Sequence, residues 1–151
     1  TWVKDGNMRN PINPEARLVT PVDGRARLLF GGLSPSAGAA DVADAEARAL
    51  GGRPLGTITP DRGKELATHA DVTARLGGVQ FHLCRPHSPR QEGTNENANG
   101  LIREFFPKGT VLSRVTEGVE RAFALVNDRP RRLLGYRTAS EAYREELLHS
   151  A

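Results

Sequence analysis

Three acidic side chains and one run of arginines have the types and spacing to do chemistry in this chain. Asp61 follows the short β-branched stretch Thr57-Ile58-Thr59. Its carboxylate is therefore expected at the C-terminal end of a strand, where the ligand crevices of open α/β sheets lie. Glu96 is expected at the start of a helix, after a polar loop from Arg85 to Asn95 that holds two prolines and Gly93. Asp5 precedes a glycine near the beginning of the chain. Carboxylates converging from separate segments bind hard divalent cations such as Mg²⁺ through oxygen. Two such ions can clamp the attacking and leaving oxygens of a phosphoryl displacement. Each acid also fits a plainer role. Asp61-Arg62-Gly63 and Asp5-Gly6 suit turns or caps, and a first-turn Glu96 suits the helix dipole. Arg129, Arg131, Arg132 and Arg137 gather four guanidinium groups within nine residues. Such forks match phosphate oxygens, and a solvated basic loop is the plainer alternative.

Other groups offer less. His82, Cys84 and His87 lie close together, but no fourth ligand accompanies them, so a zinc site is not expected. Cys84 reads as a small buried hydrophobe. Gly100, inside a helical pattern, marks close approach of another backbone or of a ligand such as DNA.

The elements that must position these groups alternate between strand and helix. Residues 1–16 are rich in Asn, Pro and Gly and are expected to be irregular. A strand is expected over Arg25–Phe30, closed by Gly31-Gly32. Ser36-Ala37-Gly38-Ala39 then leads into an Ala-rich stretch through Leu50 with Val42, Ala45 and Ala49 at helical spacing, followed by the Thr57–Thr59 strand, a helix over 64–76 and a strand over Val79–Leu83. Asn95–Phe106 has a helical pattern that stops at Pro107. Leu112 to Asn127 places Leu112, Val115, Val119, Ala122 or Phe123, and Val126 on one face of a further amphipathic helix. Thr138-Ala139-Ser140-Glu141 is a capping box that opens the last helix, to Leu148. This order predicts an α/β sheet with an all-helical C-terminal third packed against it. The expected division is one domain over 1–151, with 1–16 irregular, 17–106 an α/β core and 107–151 the C-terminal helices.

Composition narrows the class. The chain has 151 residues with 21 basic and 18 acidic side chains, a net charge of +3. Basic and acidic groups are interspersed, so nucleic acid is permitted as a partner but not demanded. No uninterrupted apolar stretch has the length of a membrane span. A basic-then-apolar leader is not evident, and one cysteine excludes a disulfide framework and fits a reducing compartment. The chain opens at Thr1 and has its only methionine at Met8, so it reads as a piece of something longer.

Several uncommon motifs occur in a fixed order. They are Thr59-Pro60-Asp61-Arg62-Gly63-Lys64-Glu65-Leu66-Ala67, the run from Cys84 through Ser88-Pro89, Gly93-Thr94-Asn95-Glu96-Asn97 and Gly100 to Arg103, Phe105-Phe106-Pro107-Lys108-Gly109-Thr110, and Asn127-Asp128-Arg129-Pro130-Arg131-Arg132-Leu133-Leu134-Gly135-Tyr136. Together they resemble the catalytic core of bacterial insertion-sequence transposases of the IS-thirty type, densely from about Thr57 to Ala142. The wider relatives are integrase-core enzymes, including retroviral integrases, whose Ser-Pro…Gly…Glu loop has the layout of Ser88 to Glu96.

The resemblance implies an RNase H-like integrase core, a mixed sheet flanked by helices, with an Asp-Asp-Glu metal triad. Asp61 matches the family's second Asp and Glu96 its Glu. Thirty-four residues separate them, one more than is usual in the family, and Gly77-Gly78 can absorb the extra residue. Trp2-Val3-Lys4-Asp5 has the layout of the segment that carries the first Asp, and Val22-Asp23-Gly24-Arg25-Ala26-Arg27 resembles the family's second strand. The chain departs from the family in the Gly6–Pro11 stretch after Asp5, which is poor strand material. It departs again at Arg85 and Arg90, and the N-terminal helix-turn-helix module is not present.

The implied activity is metal-dependent nicking and strand transfer on DNA during transposition. Asp5, Asp61 and Glu96 would hold two Mg²⁺ (or Mn²⁺), and Lys64, Arg103, Arg129, Arg131 and Arg132 would contact the DNA backbone. The implied partners are element ends and target DNA, with a homo-oligomer assembled on them, in the bacterial cytoplasm at the nucleoid. The alternatives are a remnant that only binds DNA and a metal-dependent nuclease on the same fold.

Overall fold

The computed structural model of the chain describes residues 2–4, 7–9, 16–53, 57–59, 66–77, 80–81, 89–107, 110 and 116–149. Strands β1 (Trp2–Lys4) and β2 (Asn7–Arg9) occupy part of the stretch expected to be irregular. Gly6, Pro11 and Pro14, which argued against strand there, lie outside the described residues. Strands β3 (Arg17–Val19) and β4 (Val22–Asp23) run back antiparallel. The pairs Val3↔Asp23, Lys4↔Val22, Asn7↔Val19 and Arg9↔Arg17 all have residue numbers with the same total. One register therefore holds on both sides of the interruption, where Pro21 offers no N–H to a ladder.

Strand β5 (Gly32–Ser34) pairs with β3 through Leu18↔Leu33 and Val19↔Gly32, and the same register reaches an isolated bridge at Val22↔Leu29. β5 thus begins later than the strand expected over Arg25–Phe30. Residues 24–26 form a turn instead, because the Asp23 carboxylate captures the backbone. Its Oδ1 accepts the N–H of Arg25 at 2.9 Å and of Ala26 at 2.7 Å, and the Asp23 N–H donates to the Leu28 carbonyl at 2.8 Å. An acid that hydrogen-bonds to amides two and three residues ahead mimics a backbone turn. The sheet is completed in parallel: β6 (Thr57–Thr59) adds to β1, and β7 (Gln80–Phe81) adds to β6.

Among the described residues five α-helices accompany the two sheets, β4-β1-β6-β7 and β2-β3-β5: α1 (Ala39–Leu50), α2 (Leu66–Arg75), α3 (Pro89–Phe105), α4 (Thr116–Asn127) and α5 (Ala139–His149). Period-two alternation sorts the strand side chains between two layers. Leu18, Val22 and Leu29 pack with Ile102 of α3 and Val119, Phe123 and Val126 of α4. Leu28 and Phe30 pack with α1, Val72 of α2, and Ala139 and Tyr143 of α5, and Val19 meets Val42 and Ala45 of α1. Where the two layers press closest, the sheet uses glycine. A Cβ on Gly31 would lie 2.0 Å from the Phe123 ring, and one on Gly32 would lie 3.1 Å from the Ala45 carbonyl oxygen. The Gly31-Gly32 pair read as a strand stop is thus a close-packing device.

Helix α3 begins at Pro89, well before the expected start at Asn95, so the polar run after Arg85 is helical from that point. Proline is favoured at a first helical position because its missing N–H has no intrahelical partner to lose. The capping box is present as read: the Glu141 N–H donates to Thr138 Oγ1 at 3.1 Å, and the Thr138 N–H donates to Glu141 Oε2 at 2.8 Å.

Candidate active site

The parallel strands set the geometry of the candidate site. Register partners Lys4 and Thr59 end β1 and β6 side by side, and Phe81 ends β7 at the same edge, one residue behind through its pairing with Ile58. Adjacent strands are spaced about 4.8 Å apart. The chain reaches Asp5 one residue beyond Lys4, and Asp61 two residues beyond Thr59. Asp5, Asp61 and Lys64 themselves lie outside the described residues, as do His82, Cys84 and His87. Among the described residues no group of three His, Cys, Asp or Glu side chains could hold a metal ion.

Glu96 is described. It lies two turns inside α3 rather than at its start, so the helix dipole is not what places an acid there. The side chain is exposed and has no hydrogen-bond or ion-pair partner among the described residues. Helix α3 packs against β4, and Thr20 Oγ1 donates to Asn99 Oδ1 at 2.9 Å. Asn99 is three residues on from Glu96, on the same side of the helix. The polar tie therefore fixes α3 at the Thr20-Pro21 junction, where the hairpin ladder is interrupted. Sequence reasoning missed both residues, since their pairing spans 79 positions. Gly100 is exposed, and a Cβ there would meet nothing within 4 Å, so no neighbouring backbone explains it.

The arginines divide by environment. Arg103 is half-buried in the last turn of α3 and points a guanidinium N–H toward the Phe106 carbonyl. Arg129 pairs with Glu104 at 2.8 Å and lies 5.5 Å from the centre of the Phe105 ring. Arg131 is half-buried, with Nη2 donating to the Val126 carbonyl at 3.3 Å. Its pKa is lowered, first by burial and then by the charges of Arg27 and Arg129. Arg132 is exposed, without an ion-pair partner among the described residues. Arg137 pairs with Glu145.

Behind these groups, Asn127 locks the C-terminal end of α4 to Leu29, which forms the isolated bridge with Val22. Its Oδ1 accepts the Leu29 N–H and its Nδ2 donates to the Leu29 carbonyl, both at 2.8 Å. A side-chain amide thus supplies the strand pairing that Leu29 would otherwise lack on that side. Buried polar groups with good partners at this separation are invisible to local pattern reading.

Comparison with known proteins supports the sequence resemblance. No protein-family model matches the chain. Over 86 residues, 56% of the chain, it is 46% identical to the transposase InsI for insertion sequence element IS30A of Escherichia coli, of which it covers 22%. It is 41% identical over 90 residues to the transposase for element IS4351 of Bacteroides fragilis, covering 27% of that protein. To the transposase for element IS1086 of Cupriavidus metallidurans it is 47% identical over 81 residues, or 24% of that protein. The chain thus spans about a quarter of the length of the curated relatives it matches. The catalytic core domain of BIV integrase superposes with a TM-score of 0.73, over 99% of this chain and 97% of that one, at 16% identity. Among the described residues no helix is long and apolar enough to cross a membrane. The chain has the fold of an integrase catalytic core and, over more than half its length, a sequence similar to those of insertion-sequence transposases.

Proposed function

We propose that this chain is the catalytic core of a DNA transposase, performing DNA nicking and strand transfer with Asp5, Asp61 and Glu96 as its acidic triad. The observation that carries the reading is the in-register parallel pairing of β1 with β6, which ends the two strands leading into Asp5 and Asp61 beside each other. The donor set fits divalent metal, since it offers three carboxylates of hard oxygen, and Glu96 is exposed and uncommitted among the described residues. Asp5, Asp61 and Glu96 would hold two Mg²⁺ or Mn²⁺. When bound, such ions stabilise the charge on the attacking and leaving oxygens of a phosphodiester displacement.

The remaining work falls to the chain itself. Its carboxylates would hold the metal ions at the strand edge, and its cations fix the DNA. Alignment of that kind is the main contribution a protein makes to phosphoryl transfer. Lys64, Arg103, Arg129, Arg131 and Arg132 are the proposed backbone contacts, with Arg132 the most available and Arg129 already sharing its charge with Glu104. Phosphate contacts position the duplex without reading sequence. Hydrolysis of one strand leaves a 3′-hydroxyl and a 5′-phosphate, and attack of that hydroxyl on a second phosphodiester joins the strands while the attacked strand leaves with its own 3′-hydroxyl. Element ends and target DNA are the partners in this reading, with a homo-oligomer assembled on the DNA in the bacterial cytoplasm.

The test is a nicking and joining assay on an element-end oligonucleotide with Mg²⁺ or Mn²⁺. Nicked and joined products that vanish in Asp61→Asn support the proposal. Unchanged products in Asp61→Asn overturn the triad assignment, cleavage without joining identifies a nuclease, and binding without cleavage identifies a DNA-binding remnant.

A further inference from the structure

The nine residues from Pro130 to Thr138 form a closed loop, of which the catalytic reading uses only Arg131 and Arg132. A bridge between Pro130 and Thr138 closes its base. Inside, the Arg131 carbonyl accepts the N–H groups of Leu134 and Tyr136, each at 2.9 Å, and the Arg131 N–H donates to the Arg137 carbonyl at 3.0 Å. The Gly135 N–H donates to the Arg132 carbonyl at 3.1 Å. This bonding holds the loop in one shape. Tyr136 has φ of 64°, directly after Gly135 at φ 63°. A left-handed residue with a bulky side chain costs roughly 1 kcal/mol, and the loop maintains it.

That shape presents apolar surface to water. Among the described residues four large hydrophobic side chains are exposed, and two are in this loop: Leu133 at 74% and Tyr136 at 71%. Beside them stands Arg132, exposed. Residues 129–137 contain four arginines and no acid. At the loop's base Arg131 feels the positive charges of Arg27 and Arg129. Arg129 and Arg137 are paired with Glu104 and Glu145, so the charge the loop offers is that of Arg132. A rigid aromatic ring and an aliphatic side chain beside that guanidinium fit a partner with flat apolar faces and negative charge.

We propose that this loop is a binding site for unpaired nucleotides, with Tyr136 stacking on a base, Leu133 flanking it and Arg132 contacting the adjoining phosphate. An exposed ring can stack only on a base not already stacked in a duplex, so the site selects single-stranded or frayed DNA. The inference rests on the DNA reading above and adds a substrate form to it, that of strand ends opened during nicking and joining.

The test uses fluorescence anisotropy with a labelled oligothymidylate strand and a labelled duplex of equal length. Tyr136→Ala is expected to weaken single-strand binding by about 5- to 100-fold and to leave duplex binding and the salt slope unchanged. Tyr136→Phe keeps the affinity. Arg132→Gln lowers the single-strand salt slope by about 0.7. Tyr136→Gly removes the ring together with its steric cost, so it loses single-strand binding while melting no lower than the wild type, which separates binding from folding. The proposal is overturned if Tyr136→Ala binds oligothymidylate as tightly as the wild type, or if Tyr136→Phe loses as much as Tyr136→Ala. Equal losses on duplex and single strand also overturn it. So does a loss that tracks dissociation of an oligomer in light scattering, which would make the loop a contact between copies of the chain. If nicking succeeds while Tyr136→Ala is neutral, only this site falls. If nicking fails while ring-dependent binding persists, the catalytic reading falls and this site stands.

Discussion

Two carboxylates in neighbouring parts of the molecule have opposite fates. Asp23, at the end of β4, is completely buried. Its Oδ1 is committed to two backbone amides, and its Oδ2 is buried with no hydrogen-bond partner. Burial raises its pKa, the backbone hydrogen bonds partly oppose that rise, and nearby Glu146 adds to it. Glu96, on the body of α3, is exposed and bonded to nothing among the described residues. One acid is consumed by the fold, whereas the other is held by a fold it does not support. The arginines repeat the contrast. Arg129, Arg131 and Arg137 hold loops and helix ends together, and Arg132 is left to solvent.

The contrast breaks most sharply on Glu96→Gln. Nicking is expected to fall at least ~10²-fold, as when a group that stabilises transition-state charge is removed. Chemical denaturation should detect a change within about 0.5 kcal/mol, since nothing in the fold depends on the side chain. Lost stability with retained activity would reverse the assignment. The next largest effect is expected at Asn127→Ala, which strands the buried amide and carbonyl of Leu29. A loss of about 2–4 kcal/mol in urea unfolding is the expected outcome, from two unsatisfied buried groups. A loss under about 1 kcal/mol would mean that water replaces the side chain.

Thr138→Ala should cost about 1 kcal/mol, the usual worth of an N-cap hydroxyl. A double-mutant cycle with Glu141→Ala should show that the two are coupled, because each caps the other's amide. The smallest effect is one of pH. A folded-state pKa above the unfolded value means that protonated Asp23 favours the fold. Its contribution is full below the unfolded carboxylate range and is lost as pH rises through the raised folded value. Relative to Asp23→Asn, the wild type should therefore lose melting temperature as pH rises from about 3 toward neutral. A pH-independent difference between the two proteins would show that Asp23 titrates normally.

Local signals proved readable where one element carries all its own information. The amphipathic face of α4, the Thr138–Glu141 box and the Thr57–Thr59 strand are each specified within a few residues. Residues 2–4 and 7–9 were misread as irregular, and Pro89 to Asn95 as loop. Pro89 is a breaker only inside an element, and the helix boundary places it at a first position. Gly31-Gly32 was misread because a glycine pair can end a strand or admit a helix, and only the Phe123 ring and the Ala45 carbonyl distinguish the two.

The sequence by itself determined which residues could do chemistry and in what order they occur, because motif spacing and helical periodicity are properties of the chain. It also carried the similarity to insertion-sequence transposases, since identity is counted along the chain. Tertiary structure alone decided which acids and arginines remain available. Availability depends on desolvation and on partners brought from distant positions: Asn99 from Thr20, Asn127 from Leu29, and Arg129 from Glu104. Tertiary structure also set the parallel register of β1 and β6, because hydrogen bonds between strands more than fifty residues apart leave no local trace in either segment.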